Sequence, residues 1–309
     1  MSERSLVKTL LAAAERAWFA PMPASRLAVM RIALGAYTLR YLGQRVSMLR
    51  RMARSDPRLF APVGVARPLR RPLAPGVVDT LTTVTLVSGA CFTVGGLHRV
   101  SGPVFAGSLL ALLSYRNSWS MIFHNDNALV MHAIVLGLTP SADSLSVDAL
   151  ARDLRSGGGK RRSDHRWHYG WPIRLMNTIT AATYLLAAVA KRKGPLGRRW
   201  TTGESLRRQI GVDGMRKELL GEGAAPLGVR LWDQVLLFRL LAVGSMLIEA
   251  GAPLALVHRR IGQVWAVNAF FMHWGIYLLM GIKFRYQQTG LIFGPFFDLE
   301  RIPSLLIRR

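Results

Sequence analysis

The chain has 309 residues, half of them hydrophobic, and a formal net charge of +24 at pH 7. In a soluble protein such a charge points to nucleic acid, but no nucleic-acid motif is present. The apolar residues instead fall into runs of about 18 to 23, the length of a membrane span, with arginines between and beside them where anionic lipid headgroups are the counterions. A single cysteine, Cys91, excludes an intrachain disulfide; inside an apolar run it reads as a buried, inert thiol.

Residues 1–24 read as an amphipathic helix lying in the membrane interface. Val7, Leu10, Leu11, Ala14 and Trp18 form one face, and Lys8, Glu15 and Arg16 break the other. Residues 27–42 form a first span that contains Arg31, and Gly35 with Ala36 permits a close helix contact. An arginine-rich connector, 43–75, carries five prolines that rule out one long helix, and it is expected to ride the headgroup layer. Second and third spans are expected over 77–97 and 104–115. A polar knot follows, from Tyr115-Arg116-Asn117 to His124-Asn125-Asp126-Asn127, and leads into a fourth span over about 128–138. Asn125 and His132 lie seven apart, hence on one helix face. Polar density at the entrance of a span reads as a site or a wet vestibule, with Asn125, Asn127 and His132 as its lining.

The loop that follows is glycine-rich and basic. Its His165 and His168 supply too few ligands for a metal, and none is expected. A fifth span runs over about 172–190. Asn177, Thr180, Tyr184 and Lys191 fall on one stripe of it, spaced three, four and seven apart, and a stripe of that kind should face a bundle interior or a wet cavity. After a basic connector, 191–230, a sixth span (235–257) carries Glu249 and a seventh (261–282) carries His273. Residues 291–297 are too short to cross as a helix and read as re-entrant or interfacial. Arg31 and Glu249 are costly in hydrocarbon, so each is expected to have a charged or hydrogen-bonding partner. The fold class is therefore all-α: a polytopic integral membrane bundle of about seven spans in the cell membrane. Its transmembrane domain is 25–300, and 301–309 form a basic tail.

Taken together, four segments resemble the horizontally transferred transmembrane (HTTM) domain family, related to vitamin K-dependent gamma-carboxylase. They are RLAVMRIALGAY with Arg31 and Gly35; HNDNALVMH with LSVDAL, holding Asn127 and Asp148; WPIRLMNTITAATYLLAAVAK with Trp200 and Gly203; and IEAGAPL with FFMHWGI, holding Glu249, Pro253 and His273. The resemblance implies that Lys191 acts as a base on a reduced quinone of the vitamin K type. Asn125, Asn127, His132, Asn177, Tyr184, Glu249 and His273 are candidates to hold the substrate. Two departures stand out. Asn127 occupies the place where the carboxylase has a histidine, and nothing in these 309 residues resembles the carboxylase's large luminal domain, so carboxylation of a docked protein substrate is not expected. Lys191 has a second reading, as a cation at a helix C-terminus snorkelling to the surface. Two function classes follow: a membrane enzyme acting on a quinol or lipidic substrate, or a non-catalytic accessory protein, for example in peptide-toxin maturation. A transporter is a weaker third, since no inverted repeat is visible. Expected partners are the anionic lipid bilayer, a quinol or lipid, and a peptide or second membrane protein, but not nucleic acid.

Overall fold

The computed structural model describes residues 15–156 and 165–302 together with Thr9 and Ala12; of His124 it describes the backbone alone. The apolar face expected on Val7, Leu10, Leu11 and Ala14, the basic loop 157–164 and most of the C-terminal tail lie outside the described residues. The described chain is helical almost throughout. Its one strand pairing is a two-residue antiparallel bridge between Met22–Pro23 and His165–Arg166. The chain divides into two compact units, one formed by Met1–Met176 with Asp298–Arg309 and the other by Asn177–Phe297.

The first unit contains α1 (Ala24–Gly43), α2 (Val46–Met52), α3 (Pro75–Val94), α4 (His98–Asn117), α5 (His124–Leu138), α6 (Val147–Arg155) and the start of α7 (Trp167–Lys193). Four of these pack side by side, α1 on α3, α3 on α4, α4 on α5 and α5 on α1. Small residues set the spacing. A Cβ at Gly102 would come 2.3 Å from the Gly137 carbonyl oxygen, so the α4 and α5 backbones meet where neither has a side chain. Gly35 has the same role for α1, because its Cβ would meet the Thr93 side chain on α3. Leu27, Leu34, Phe92, Phe105 and Leu109 fill the interior.

Several boundaries differ from the sequence expectation, each for a specific structural reason. The helix expected as the second span ends at Val94 rather than 97, because Gly95 turns left-handed (φ 66°) and closes it. The third starts at His98 rather than 104: the Asp148 carboxylate accepts from the Leu97 and His98 amides at 2.8 Å each, so the helix is capped from α6. The connector 43–75 contains α2 and packs partly inward, with Ala53 against Val78 and Tyr115. Cys91 is exposed on α3, a correction of the buried thiol: the apolar run is real, but Cys91 lies on its outer face.

The second unit holds the rest of α7, α8 (Glu204–Leu219), α9 (Pro226–Arg230), α10 (Val235–Ala250), α11 (Arg259–Met280), α12 (Arg285–Gln288) and three 3-10 segments, Gly197–Thr202, Ala252–Leu256 and Leu291–Phe296. The helix α10, in the stretch expected as a sixth span, is shorter than expected. After Ala250 the chain passes through Gly251 into a 3-10 turn that has Pro253 near its start. The basic connector 191–230 is not extended, because its α8 docks through Ile210 onto Phe238 and Leu279. Among the described residues two helices, α3 and α7, are long and apolar enough to cross a membrane.

Candidate functional site

The polar stripe of α7 lies inside the second unit. Asn177 donates from Nδ2 to the Pro295 carbonyl and Thr180 from Oγ1 to the Ile292 carbonyl, both at 3.4 Å, which sets this face of α7 against the 3-10 segment Leu291–Phe296. Gly290 (φ 77°) starts that segment, and Pro295 prevents it from continuing as a regular helix. Tyr184 is buried one turn further on, with its ring against Trp265 (centroids 5.0 Å) and His273 (5.7 Å).

His273 Nδ1 lies 2.9 Å from the Ala269 carbonyl and 3.3 Å from Tyr184 Oη. A carbonyl only accepts, so in the neutral ring Nδ1 carries the hydrogen and Nε2 the lone pair. Tyr184 then accepts from Nδ1 or leaves its own hydrogen for another group.

Two turns of helix beyond Tyr184, about 10 Å along the axis, Lys191 reaches Glu249. Its Nζ donates to both carboxylate oxygens, at 2.5 and 2.6 Å. Glu249 is largely buried and Lys191 partly so. The ammonium also lies 5.2 Å from the centre of the Trp200 ring, a cation–π distance. The chain can bring Trp200 there because Gly203 (φ 82°) ends its 3-10 turn against α10, where a Cβ would come 2.4 Å from the Arg239 amide. Lys191 and Glu249 are separate candidates in the sequence; the structure brings them together as a bidentate pair. Trp200 was noted only through the family resemblance, and its contact with Lys191 has no spacing signal.

The other candidates belong to the first unit, at the N-terminal end of α5. Asn125 is buried and donates from Nδ2 to Asp126 Oδ1 at 2.8 Å. Asp126, only 1% exposed, also accepts from Tyr41 Oη and pairs with Arg116 Nη1, each at 2.8 Å. Arg116 donates in turn to Tyr41 Oη and stacks on the Phe123 ring. Asn127 points outward and is exposed, so it does not line this interior; the residue that does is its neighbour Asp126. His132, fully buried, has Nε2 3.2 Å from the Met176 carbonyl, which assigns the hydrogen to Nε2. The signal for Asp126–Arg116–Tyr41 was present in the sequence: an acid and a base in one apolar-flanked knot are each too costly to bury alone. Arg31, also fully buried, meets carbonyls instead, donating from Nη1 to Ser141 and from Nη2 to Leu145 at 2.6 Å each, while its Nε is left without a hydrogen-bond partner among the described residues.

Among the described residues no three His, Cys, Asp or Glu side chains group as a metal site. His165 lies in the short strand pairing, and the His168 ring meets the Tyr169 ring edge-on within α7. No family model matches the chain, and no curated protein or solved structure matches it.

Proposed function

We propose that the chain is a multi-pass integral membrane protein of HTTM type, crossing with α1, α3, α4, α5, α7, α10 and α11. The distribution of exposed apolar residues supports this reading. On α11, Ile261, Val264, Val267, Phe271, Trp274 and Leu278 recur at steps of three and four, all exposed, along a 22-residue helix. A helix of that length covers about 30 Å, the thickness of bilayer hydrocarbon. Such a stripe is unfavourable in water and matches lipid.

Within that frame the second unit is a centre for base chemistry on a quinol-like or lipidic substrate. The observation that carries this is the Lys191–Glu249 pair beside Trp200. Of the residues through which the sequence resembles the carboxylase, Lys191, Trp200, Gly203, Glu249, Pro253 and His273 fall in the second unit, while Arg31, Gly35, Asn127 and Asp148 fall in the first. A quinol supplies, once deprotonated, an anion that reacts with oxygen. The protein's part is to take the hydroxyl proton. Lys191 donates to both carboxylate oxygens of Glu249, so it becomes a base only after passing a proton to that carboxylate. Tyr184, Trp265 and Phe293 supply aromatic surface two turns away.

The same ion pair favours a second reading, in which it is a structural tie between α7 and α10 in a non-catalytic accessory protein. Lys191→Met and Lys191→Arg separate the two. Methionine removes the pair and loses stability under both readings. Arginine keeps a bidentate partner for Glu249 but does not give up a proton. With reduced menaquinone or vitamin K, oxygen and membranes carrying the protein, the enzyme reading expects amine-dependent oxygen uptake or quinone epoxide. That activity should be absent from a well-folded Lys191→Arg. No activity from wild type across several quinols, with the fold intact, supports the accessory protein.

A further inference from the structure

A groove of about 900 Å³ opens in the first unit, where the α3–α4 and α5–α6 turns meet. It lies just past the C-terminal end of α3, a helix long and apolar enough to cross a membrane. If α3 crosses, the groove is at headgroup depth. Its lining has two parts. Arg99, Arg152 and Arg155 are exposed and bring positive charge. Leu97, Val100, Leu138 and Val147 form an apolar rim, each more than half exposed. Two acids also line it, and both are engaged. Asp148 caps the Leu97 and His98 amides, while Asp143 takes hydrogen bonds from Arg152 at 3.0 Å and Tyr169 at 2.9 Å.

The outer face of α6 continues the same pattern. Val147, Leu150 and Leu154 recur at steps of three and four, and all are exposed, with Arg152 and Arg155 beside them. Apolar residues turned outward next to arginines describe a helix lying in the membrane interface. The positive side chains lack enough acid within the groove to balance them, and the rim is unsuited to water.

We propose that this groove binds the headgroup of an anionic phospholipid, with the phosphate on Arg99 and Arg155 and the acyl chains along Leu97, Val100 and Leu138. The inference rests on the membrane reading above and adds a specific lipid site to it. Arg152 is already bound to Asp143 and contributes less.

The test uses the full chain in mild detergent, titrated with phosphatidylglycerol, phosphatidylcholine or glycerol 3-phosphate and followed by native mass spectrometry. Phosphatidylglycerol should bind in preference to both others. Arg99→Gln and Arg155→Gln should each weaken it by about five-fold, the contribution of a basic residue near an anionic surface. Arg67→Gln with Arg70→Gln, exposed substitutions in the connector that precedes α3, should leave it unchanged. Equal binding of the two phospholipids overturns the site. So does an equal loss in the Arg67/Arg70 variant, which would mean diffuse attraction to a +24 chain. Competition by glycerol 3-phosphate as strong as phosphatidylglycerol overturns it in favour of a free-anion site. A chain that purifies without detergent removes the membrane reading itself, whereas an inserted chain with no preference for phosphatidylglycerol removes only this inference.

Discussion

Asp126 is the residue on which the first unit's buried polar cluster depends, because three hydrogen-bonding side chains converge on it. Its carboxylate is the countercharge for Arg116, itself nearly buried. Asp126→Asn keeps the shape and an acceptor for Tyr41 but removes the charge. The arginine is then buried without compensation, which typically costs about 3–5 kcal/mol. Thermal unfolding in detergent should show a large drop for Asp126→Asn. Adding Arg116→Met should recover part of it, because the orphaned charge is removed too. Wild-type stability of the single variant would mean that the pair is solvated. At this scale the sequence was partly legible. The α7 stripe was readable because helical spacing fixes which residues share a face, and Asn177, Thr180, Tyr184 and Lys191 all make contacts within the second unit. The choice of Asn127 over Asp126 was not decidable by spacing. Adjacent residues on a helix differ by 100° or so, and nothing local fixes the phase of a helix at its first turn.

Elements were legible where the apolar period was long, and their ends were not. Gly95, Asp148 and Pro253 set three boundaries; the glycine and the proline act through their own neighbours, but the Asp148 cap comes from about 50 residues downstream. α8 was missed because it is mostly polar and docks through a few residues around Ile210. A further tie invisible in the sequence joins the start of α1 to the chain's end. Arg26 donates from Nε to Glu300 Oε2 at 2.7 Å and from Nη2 to Asp298 Oδ1 at 2.6 Å. Burial alone would raise the Glu300 carboxyl, but the hydrogen bonds and charge of Arg26 outweigh it and hold the group below its ordinary value of 4.5. A carboxyl lowered on folding stabilises the native state above its unfolded value, and the contribution is lost as pH falls through the folded one. Glu300→Gln should therefore unfold at a lower temperature than wild type at neutral pH, by about 1.5–3 kcal/mol for a charged hydrogen bond. The gap should narrow as the pH is taken below 4.5. A gap that stays constant with pH would mean that the Glu300 charge does not contribute.

For the molecule as a whole, composition made an all-helical chain legible, while its division into two units was not, since that depends on contacts between residues far apart in sequence. The membrane reading rests on which surfaces are apolar, and Cys91 allows it to be tested with the chain's only thiol. Val77, Val84, Val87 and Val94 are exposed on α3, and the spacing of Cys91 from them puts it on the same face. If that face meets lipid, the thiol is on the surface of the protein yet out of water. A charged reagent does not enter hydrocarbon, so it does not reach a thiol that faces lipid. In unsealed membrane fragments, where both faces meet the reagent, a charged maleimide should leave Cys91 unmodified, and dodecyl sulfate should then expose it to full labelling. Ser156→Cys in a Cys91→Ala background is the control, since Ser156 is exposed at the end of α6 and should label without denaturation. If α3 were instead bathed in water, an exposed cysteine would react in the native fragments at the rate of the control. That result would remove α3 as a span and with it the depth assigned to the arginine-lined groove.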